Sequence, residues 1–200
     1  MSAKLHIPRA SRDDYETPAH LFDFLDERFG PFDMDPACTL DQYSALTILA
    51  RGGSVIVPPD HKTHLALRPD VLQRIFLDGL TTPWFGAAGR AGKVWLNPPY
   101  GRALGQWVPK AVAEVECGNA ELVCALLPAR TGPRWWQENI LSNVRWTEGH
   151  AVGTVWDGPG WSASAHPLLH ELIFLPGRET FVGAPGPANF DLAAVVWKQR

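Results

Sequence analysis

Along this chain the apolar positions change period several times, and each change predicts an element. Residues 1–13 are polar and aperiodic, which predicts a flexible leader before a folded domain over 14–200. Thr17-Pro18 opens a predicted helix, with Thr17 as its cap and Pro18 in its first turn. Leu21, Phe22, Leu25 and Phe29 follow at helical spacing, and Gly30 ends the run. Phe32 to Pro36 reads as a short strand entering a turn, with Phe32 and Met34 on one face.

Residues 39–75 are the least regular stretch, broken by Gly52-Gly53, Pro58-Pro59 and Pro69. Val55-Ile56-Val57 predicts a short strand there, and Leu67, Val71, Leu72 and Ile75 suggest a brief helix after Pro69. The Gly- and Ala-rich residues 81–92 predict a loop. Val94-Trp95-Leu96 is a strand that stops at Asn97, and Leu104, Trp107, Val108, Ala111, Val112 and Val115 mark an amphipathic helix ending at Gly118. The apolar run Leu122 to Leu127 suits a strand covered on both faces. Thr131 and Pro133 open another helix carrying Trp135-Trp136, which cannot both face the same way, so one is available to line a cleft. Leu172 to Leu175 and Leu192 to Trp197 are late strands, preceded by a long Gly/Ser/Pro stretch at 149–167 of a length usually tied to function. Alternating strands and helices followed by late strands predict an α/β fold with one layer of sheet.

Composition narrows the class. The chain has 200 residues, 46% hydrophobic and 20% charged, as in an ordinary soluble domain. No apolar run approaches the roughly 20 residues of a membrane-spanning helix, so no membrane association is expected. Met1 to Arg12 lacks the apolar core of a secretory signal, and Cys38, Cys117 and Cys124 show no CxxC spacing, which together predict a cytoplasmic protein. A net charge of −3 argues against strong nonspecific nucleic-acid binding, but Arg90, Lys93, Arg102, Lys110, Arg130 and Arg134 leave room for a local basic face. The same residues also suit a solvated surface of mixed sign. His61 with His64, and His166 with His170, have metal-like spacing but no completing Cys or Glu, so no metal is expected. No GxSxG, Walker or GxGxxG element is present.

The sharpest chemical signal is Asn97-Pro98-Pro99-Tyr100, placed directly after a strand. A proline-stiffened turn alone needs neither the Asn nor the Tyr. The exocyclic amine of adenine is a poor nucleophile, because its lone pair is delocalised into the ring. Acceptors on both N–H bonds draw the nitrogen toward tetrahedral geometry, and the Asn97 side-chain carbonyl and Pro98 backbone carbonyl can serve as that pair. The prolines keep the turn rigid and add no competing N–H donor. Tyr100 offers a face on which a base swung out of a duplex can stack. Asp35-Pro36 after one strand, and Asp78-Gly79 after Ile75-Phe76-Leu77, each read either as a cofactor-holding carboxylate or as a plain turn.

The combination resembles the phage-encoded DNA N6-adenine methyltransferase family, also found in prophages. Five blocks in order carry the resemblance over roughly residues 13–148: Asp14 to Pro18 with Leu21-Phe22; Phe29 to Ala37; Asp78-Gly79-Leu80 with Trp84; Val94 to Arg102 with Trp107; and Leu126 to Thr131 with Arg134-Trp135-Trp136. The resemblance implies a single methyltransferase domain over 14–200. Its sheet would be Rossmann-like with helices on both faces, and its cofactor S-adenosylmethionine. It places Thr17 at the methionine end of that cofactor, Asp35 and Pro36 beside it, and Asp78 near its adenine ring. Asn97, Pro98, Pro99 and Tyr100 become the catalytic loop and double-stranded DNA the partner, in the cytoplasm of a bacterial host. Arg130 and Trp135 are further candidates for contacts to DNA or to the target base.

The Asp35 turn lacks the glycines that usually let a backbone approach this cofactor closely, a lack the family shares, which bears on the cofactor mapping and not on the resemblance. The chain departs from the family at 44–70, which is longer and more irregular than the resemblance leads one to expect, and again past Gly149. Past Gly149 the family runs through a Gly-Arg-Phe-like strand and an Ala-Pro-Phe-Pro-Ser-like loop, and Gly149-His150-Ala151-Val152 and Ala163-Ser164-Ala165-His166-Pro167 stand as their counterparts. Target recognition is therefore expected from 39–75 or 149–170. The same loop chemistry also serves RNA bases and protein glutamine, and a silent binder of DNA or cofactor would keep the core. The recognition sequence and oligomeric state are left open.

Overall fold

A computed structural model describes residues 16–39, 41–57, 75–85, 92–141 and 165–200, with the backbone of short strands between 145 and 162. The leader at 1–13, Arg90, His61, His64 and most of the stretch after Pro58 lie outside the described residues. In chain order the elements are α1 (Ala19–Phe29), β1 (Met34–Asp35), α2 (Tyr43–Ala50), β2 (Ser54–Val57), β3 (Ile75–Leu77) and β4 (Gly92–Leu96). There follow α3 (Leu104–Glu116), β5 (Ala120–Pro128), α4 (Arg134–Asn139) and the short strands β6 (Arg145–Thr147), β7 (His150–Val152), β8 (Val155–Trp156) and β9 (Trp161–Ser162). The chain closes with β10 (Leu169–Phe174) and β11 (Leu192–Lys198).

Seven strands form one sheet in the order β10-β11-β5-β4-β1-β2-β3. The pairings β2–β3, β1–β2, β1–β4 and β4–β5 are parallel, whereas β11 runs antiparallel to both β5 and β10. From β1 the order grows outward through β2 and β3 on one side and through β4 and β5 on the other. The direction of winding therefore reverses between β1 and β4, the place where open α/β sheets bind ligands. This is the Rossmann-like α/β sheet expected from the sequence.

Side-chain alternation explains why both faces are covered. Val55, Val57, Trp95, Leu122, Cys124, Leu126, Leu192, Ala194 and Val196 point to one face, where Leu21, Phe22, Leu25 and Phe29 of α1 and Ala45, Ile48 and Leu49 of α2 bury them. Ile56, Val94, Leu96, Val123, Ala125, Leu127, Ala193, Val195 and Trp197 point to the other, under Leu104, Val108, Ala111, Val112 and Val115 of α3 and Trp136 of α4. Four tryptophans, Trp84, Trp95, Trp136 and Trp197, are fully buried.

The structure corrects several local expectations. The N-cap of α1 is Pro18, with no side-chain cap, and the Thr17 hydroxyl is buried without a hydrogen-bond partner. Phe32 and Met34 face opposite sides, because β1 is only two residues long and does not extend back to Phe32. The Phe32 N–H is instead taken by Asp26 Oδ1 at 2.8 Å, and Asp26 Oδ2 pairs with Arg51 at 2.5 Å, which ties α1 to the end of α2. Ile75 begins β3 rather than closing a helix. The stretch 149–167, expected as loop, contains β8 paired antiparallel with β9, while β7 pairs with β6.

Candidate active site

The parallel register brings the expected site residues to one edge. Met34 lies opposite Val94 and Asp35 opposite Val55, while Val57 lies opposite Leu77. The carboxyl ends of β1, β3, β4 and β5 therefore deliver Asp35-Pro36, Asp78, Asn97 to Tyr100 and Ala129-Arg130 to the same rim.

Asn97 follows three fully buried residues, Val94, Trp95 and Leu96, which fix where it leaves the sheet. Tyr100 turns back into the fold: its hydroxyl donates to the Leu126 carbonyl of β5 at 3.0 Å, and burial pushes its phenol well above the usual range. Its ring meets Phe181 and Phe190 edge-on, with centroids 5.8 and 5.5 Å away. Asn97, Pro98 and Tyr100 line a cavity of about 510 Å³, together with Arg130, Phe181 and the segment Ala184 to Phe190. Pro99 and Trp135 are not part of this lining. Trp135 instead packs edge-on against the buried Trp136, at 5.6 Å.

The second wall of the cavity is the feature that sequence reasoning missed. Target recognition was expected from 39–75 or 149–170, yet the wall beside Asn97 comes from Phe181 and 184–190. Antiparallel pairing of β11 with β5 brings this segment there: Leu192 lies opposite Pro128, and Ala129 N–H donates to Asp191 O at 2.8 Å. An isolated bridge between Glu16 and Val182 fastens its other end, one residue from Thr17. Ala184-Pro185-Gly186-Pro187-Ala188 spaces two prolines across a glycine, a stiff turn between the aromatic Phe181 and Phe190. That spacing was the available signal.

The residues expected to hold a cofactor, Thr17, Asp35, Pro36 and Asp78, do not line this cavity. Asp35 is buried, its Oδ1 accepting the Ala37 N–H at 3.1 Å and its Oδ2 the Ser44 hydroxyl at 2.9 Å. Its observed part is to shape the Pro36-Ala37 turn. Burial pushes its carboxyl up to about 7, against 3.8 for the free group. A raised folded-state value means a stability contribution fully present below about 3.8 and lost as the pH rises through about 7. Asp35→Asn, which stays neutral, should therefore gain stability relative to the unsubstituted protein as pH climbs through that window. Melting curves across it would show this, and a constant difference would contradict the buried carboxyl.

Asp78 sits at the rim in the left-handed region, with φ of 62°, a conformation that Asp tolerates better than most residues. Its carboxylate accepts the Thr81 hydroxyl at 2.7 Å and the Leu80 N–H at 3.1 Å, and these bonds, Thr81 foremost, hold it below the usual carboxylate range. The turn is clamped from behind. Trp84 Nε1 donates to Gly79 O at 2.7 Å and Trp84 N–H to Glu114 Oε2 at 2.8 Å, while Glu114 Oε1 pairs with Lys110. Trp84 stacks on Trp107 of α3 at 6.1 Å, so the helix that follows the Asn97 loop also carries the Asp78 turn. At Gly79 a Cβ would overlap the Pro36 carbonyl oxygen and lie 2.6 Å from Trp107, so only glycine lets β1 and β3 ends meet.

Three described members of the expected basic face are engaged within the fold. Lys93 donates to Gly30 O at 2.6 Å, Lys110 serves Glu114, and Arg134 pairs with Glu138 at 2.7 Å. Among the described residues Arg102 and Arg130 are exposed and without an ion pair, Arg130 lying over the Phe190 ring at 5.3 Å. No group of three or more His, Cys, Asp or Glu side chains is gathered as a metal would require, and no helix is long and apolar enough to cross a membrane, again among the described residues.

Comparison with known proteins adds one relative. The chain is similar to a phage DNA N-6-adenine-methyltransferase. The identity to that Escherichia phage T1 protein is 27% over 175 residues, which are 86% of this chain and 58% of the relative. The chain thus spans less than two thirds of the relative's length. No family model matches. Among solved structures, a candidate RNA methyltransferase from Pyrococcus horikoshii aligns with a TM-score of 0.49 and 12% identity, covering 92% of this chain and 86% of that one. The glycopeptide N-methyltransferase MtfA, complexed with S-adenosyl-L-homocysteine, aligns with a TM-score of 0.39 and 12% identity, covering 94% and 91%. At those scores neither alignment bears on substrate.

Proposed function

We propose that the chain is an S-adenosylmethionine-dependent methyltransferase acting on the N6 amine of adenine in double-stranded DNA, in the cytoplasm of a bacterial host. The observation that carries this reading is Asn97-Pro98-Pro99-Tyr100 at the reversal of sheet winding, with Asn97, Pro98 and Tyr100 lining a cavity. The phage relative supports the choice of adenine in DNA.

The residues present fit the cofactor. Thr17 carries a buried hydroxyl with no partner, next to the Glu16–Val182 bridge that closes the cavity wall. The exposed, ionised Asp78 turn stands at the same rim and is free to accept from hydroxyl or amino groups. Bound there, the cofactor supplies an electrophilic methyl on a positively charged sulfur. The Asn97 side-chain carbonyl and the Pro98 backbone carbonyl accept hydrogen bonds from the two amine N–H groups and free the nitrogen lone pair. With the cofactor bound, Asn97 and the Pro98 carbonyl would hold the amine toward its methyl, the departing neutral thioether would keep the C–S electron pair, and the proton lost from nitrogen would pass to solvent. Aromatic rings of Tyr100, Phe181 and Phe190 supply apolar surface for the extruded base. Among the described residues of the expected basic face, Arg102 and Arg130 are exposed without an ion pair and can meet DNA phosphates.

Incubation with cofactor labelled in its methyl group and a mixture of duplex DNA, RNA and unfolded protein tests the reading. Label is expected in DNA. Label confined to RNA or protein would replace the substrate, and cofactor binding by calorimetry without any transfer would leave a silent binder.

A further inference from the structure

We propose that Asn189 is a specificity-determining residue, reading the hydrogen-bonding edge of the target base from the wall that 184–190 contributes. This rests on the cavity being an adenine site. An inventory of polar groups singles Asn189 out. The Tyr100 hydroxyl has given its proton to Leu126 O. Phe181 and Phe190 are aromatic surface alone. Pro185 and Pro187 have no N–H, the Ala184 N–H goes to Phe181 O at 3.0 Å, and the Ala188 N–H goes to Glu179 O at 2.9 Å. Arg130 lies over Phe190 and carries only donors. On this wall Asn189 is the side chain that joins a donor and an acceptor in one plane, and it has no hydrogen-bond partner among the described residues.

The chemistry of the ligand matches. With both amine hydrogens held by Asn97 and Pro98, adenine still offers its ring nitrogens as acceptors, and the Asn189 amide N–H is the neutral side-chain donor on this wall that can meet one of them. Cytosine and guanine present different patterns, so such a contact discriminates as well as binds. Asn97 engages the reacting amine, and Asn189 engages a ring nitrogen that does not react. Pro185 and Pro187 fix two backbone φ angles shortly before the exposed Asn189 and limit the loop's alternatives.

The test uses duplexes in which the methylated adenine is replaced by 1-deaza-, 3-deaza- or 7-deazaadenine, assayed with the full chain and with Asn189→Ala and Asn189→Asp. The unsubstituted protein is expected to lose roughly 10- to 100-fold in kcat/KM on one analogue, the scale of one base-edge contact. Asn189→Ala should lose a similar factor on ordinary adenine and no longer distinguish that analogue, with S-adenosylmethionine affinity unchanged. Asn189→Asp, which lacks the donor, should also lose activity on ordinary adenine. Activity of Asn189→Ala within about twofold, or an analogue penalty that persists in full, would overturn the proposal. If the unsubstituted protein methylates no DNA, the functional reading falls first and takes this one with it.

Discussion

Replacing Asn97 with alanine is expected to lower methyl transfer to DNA by about 100-fold or more, with the fold and cofactor affinity retained. The magnitude follows from the chemistry: the side-chain carbonyl is asked to act when the amine becomes tetrahedral, so its loss falls on the chemical step and not on binding. The fold should tolerate the change because the buried anchors of the loop are Val94, Trp95 and Leu96, and Asn97 itself is only half-buried. Single-turnover rates with saturating DNA and cofactor, beside a melting curve, separate the two contributions. A rate near that of the unsubstituted protein would remove Asn97 from the mechanism.

Gly79→Ala should produce the second large effect, through geometry alone. The added methyl would overlap the Pro36 carbonyl oxygen and press on Trp107, so the Asp35 and Asp78 turns must part. Overpacking of this kind costs roughly 1–3 kcal/mol of stability. Because both turns are expected to hold the cofactor, its affinity should fall by about tenfold or more. Calorimetric titration of S-adenosylmethionine into the variant checks this at a temperature where circular dichroism shows it folded. Unchanged affinity would place the cofactor away from the meeting of β1 and β3.

What the sequence revealed, and what it hid, divides along the distance over which each element is specified. The unit of β4, Asn97 loop, α3 and β5 was readable because strand, turn and amphipathic helix are written in consecutive residues, with the buried face of α3 repeating at helical spacing. Helix α2 was missed: Ala45, Leu46, Thr47, Ile48 and Leu49 are mostly apolar around the whole helix, and eight residues are too few for a period to emerge. The cap assigned to Thr17 failed because its hydroxyl turns inward and Pro18 takes the capping position. Most instructive is the wall at 181–190. Gly, Ala and Pro give it no period, and its place is set by the bridge to Glu16 and by the pairing of β11 with β5, contacts between residues far apart in the chain. The candidate catalytic loop was thus legible locally, whereas the cavity beside it became visible only in the folded chain.

The central claim is that Asn97 to Tyr100 present an adenine amine for methylation. Its most direct test is transfer of labelled methyl from S-adenosylmethionine to unmethylated duplex DNA, followed by nucleoside analysis of the product. Label in N6-methyladenine, abolished in Asn97→Ala, is the predicted result. Label in another nucleoside, or none in DNA while the protein still binds S-adenosylmethionine, would contradict it.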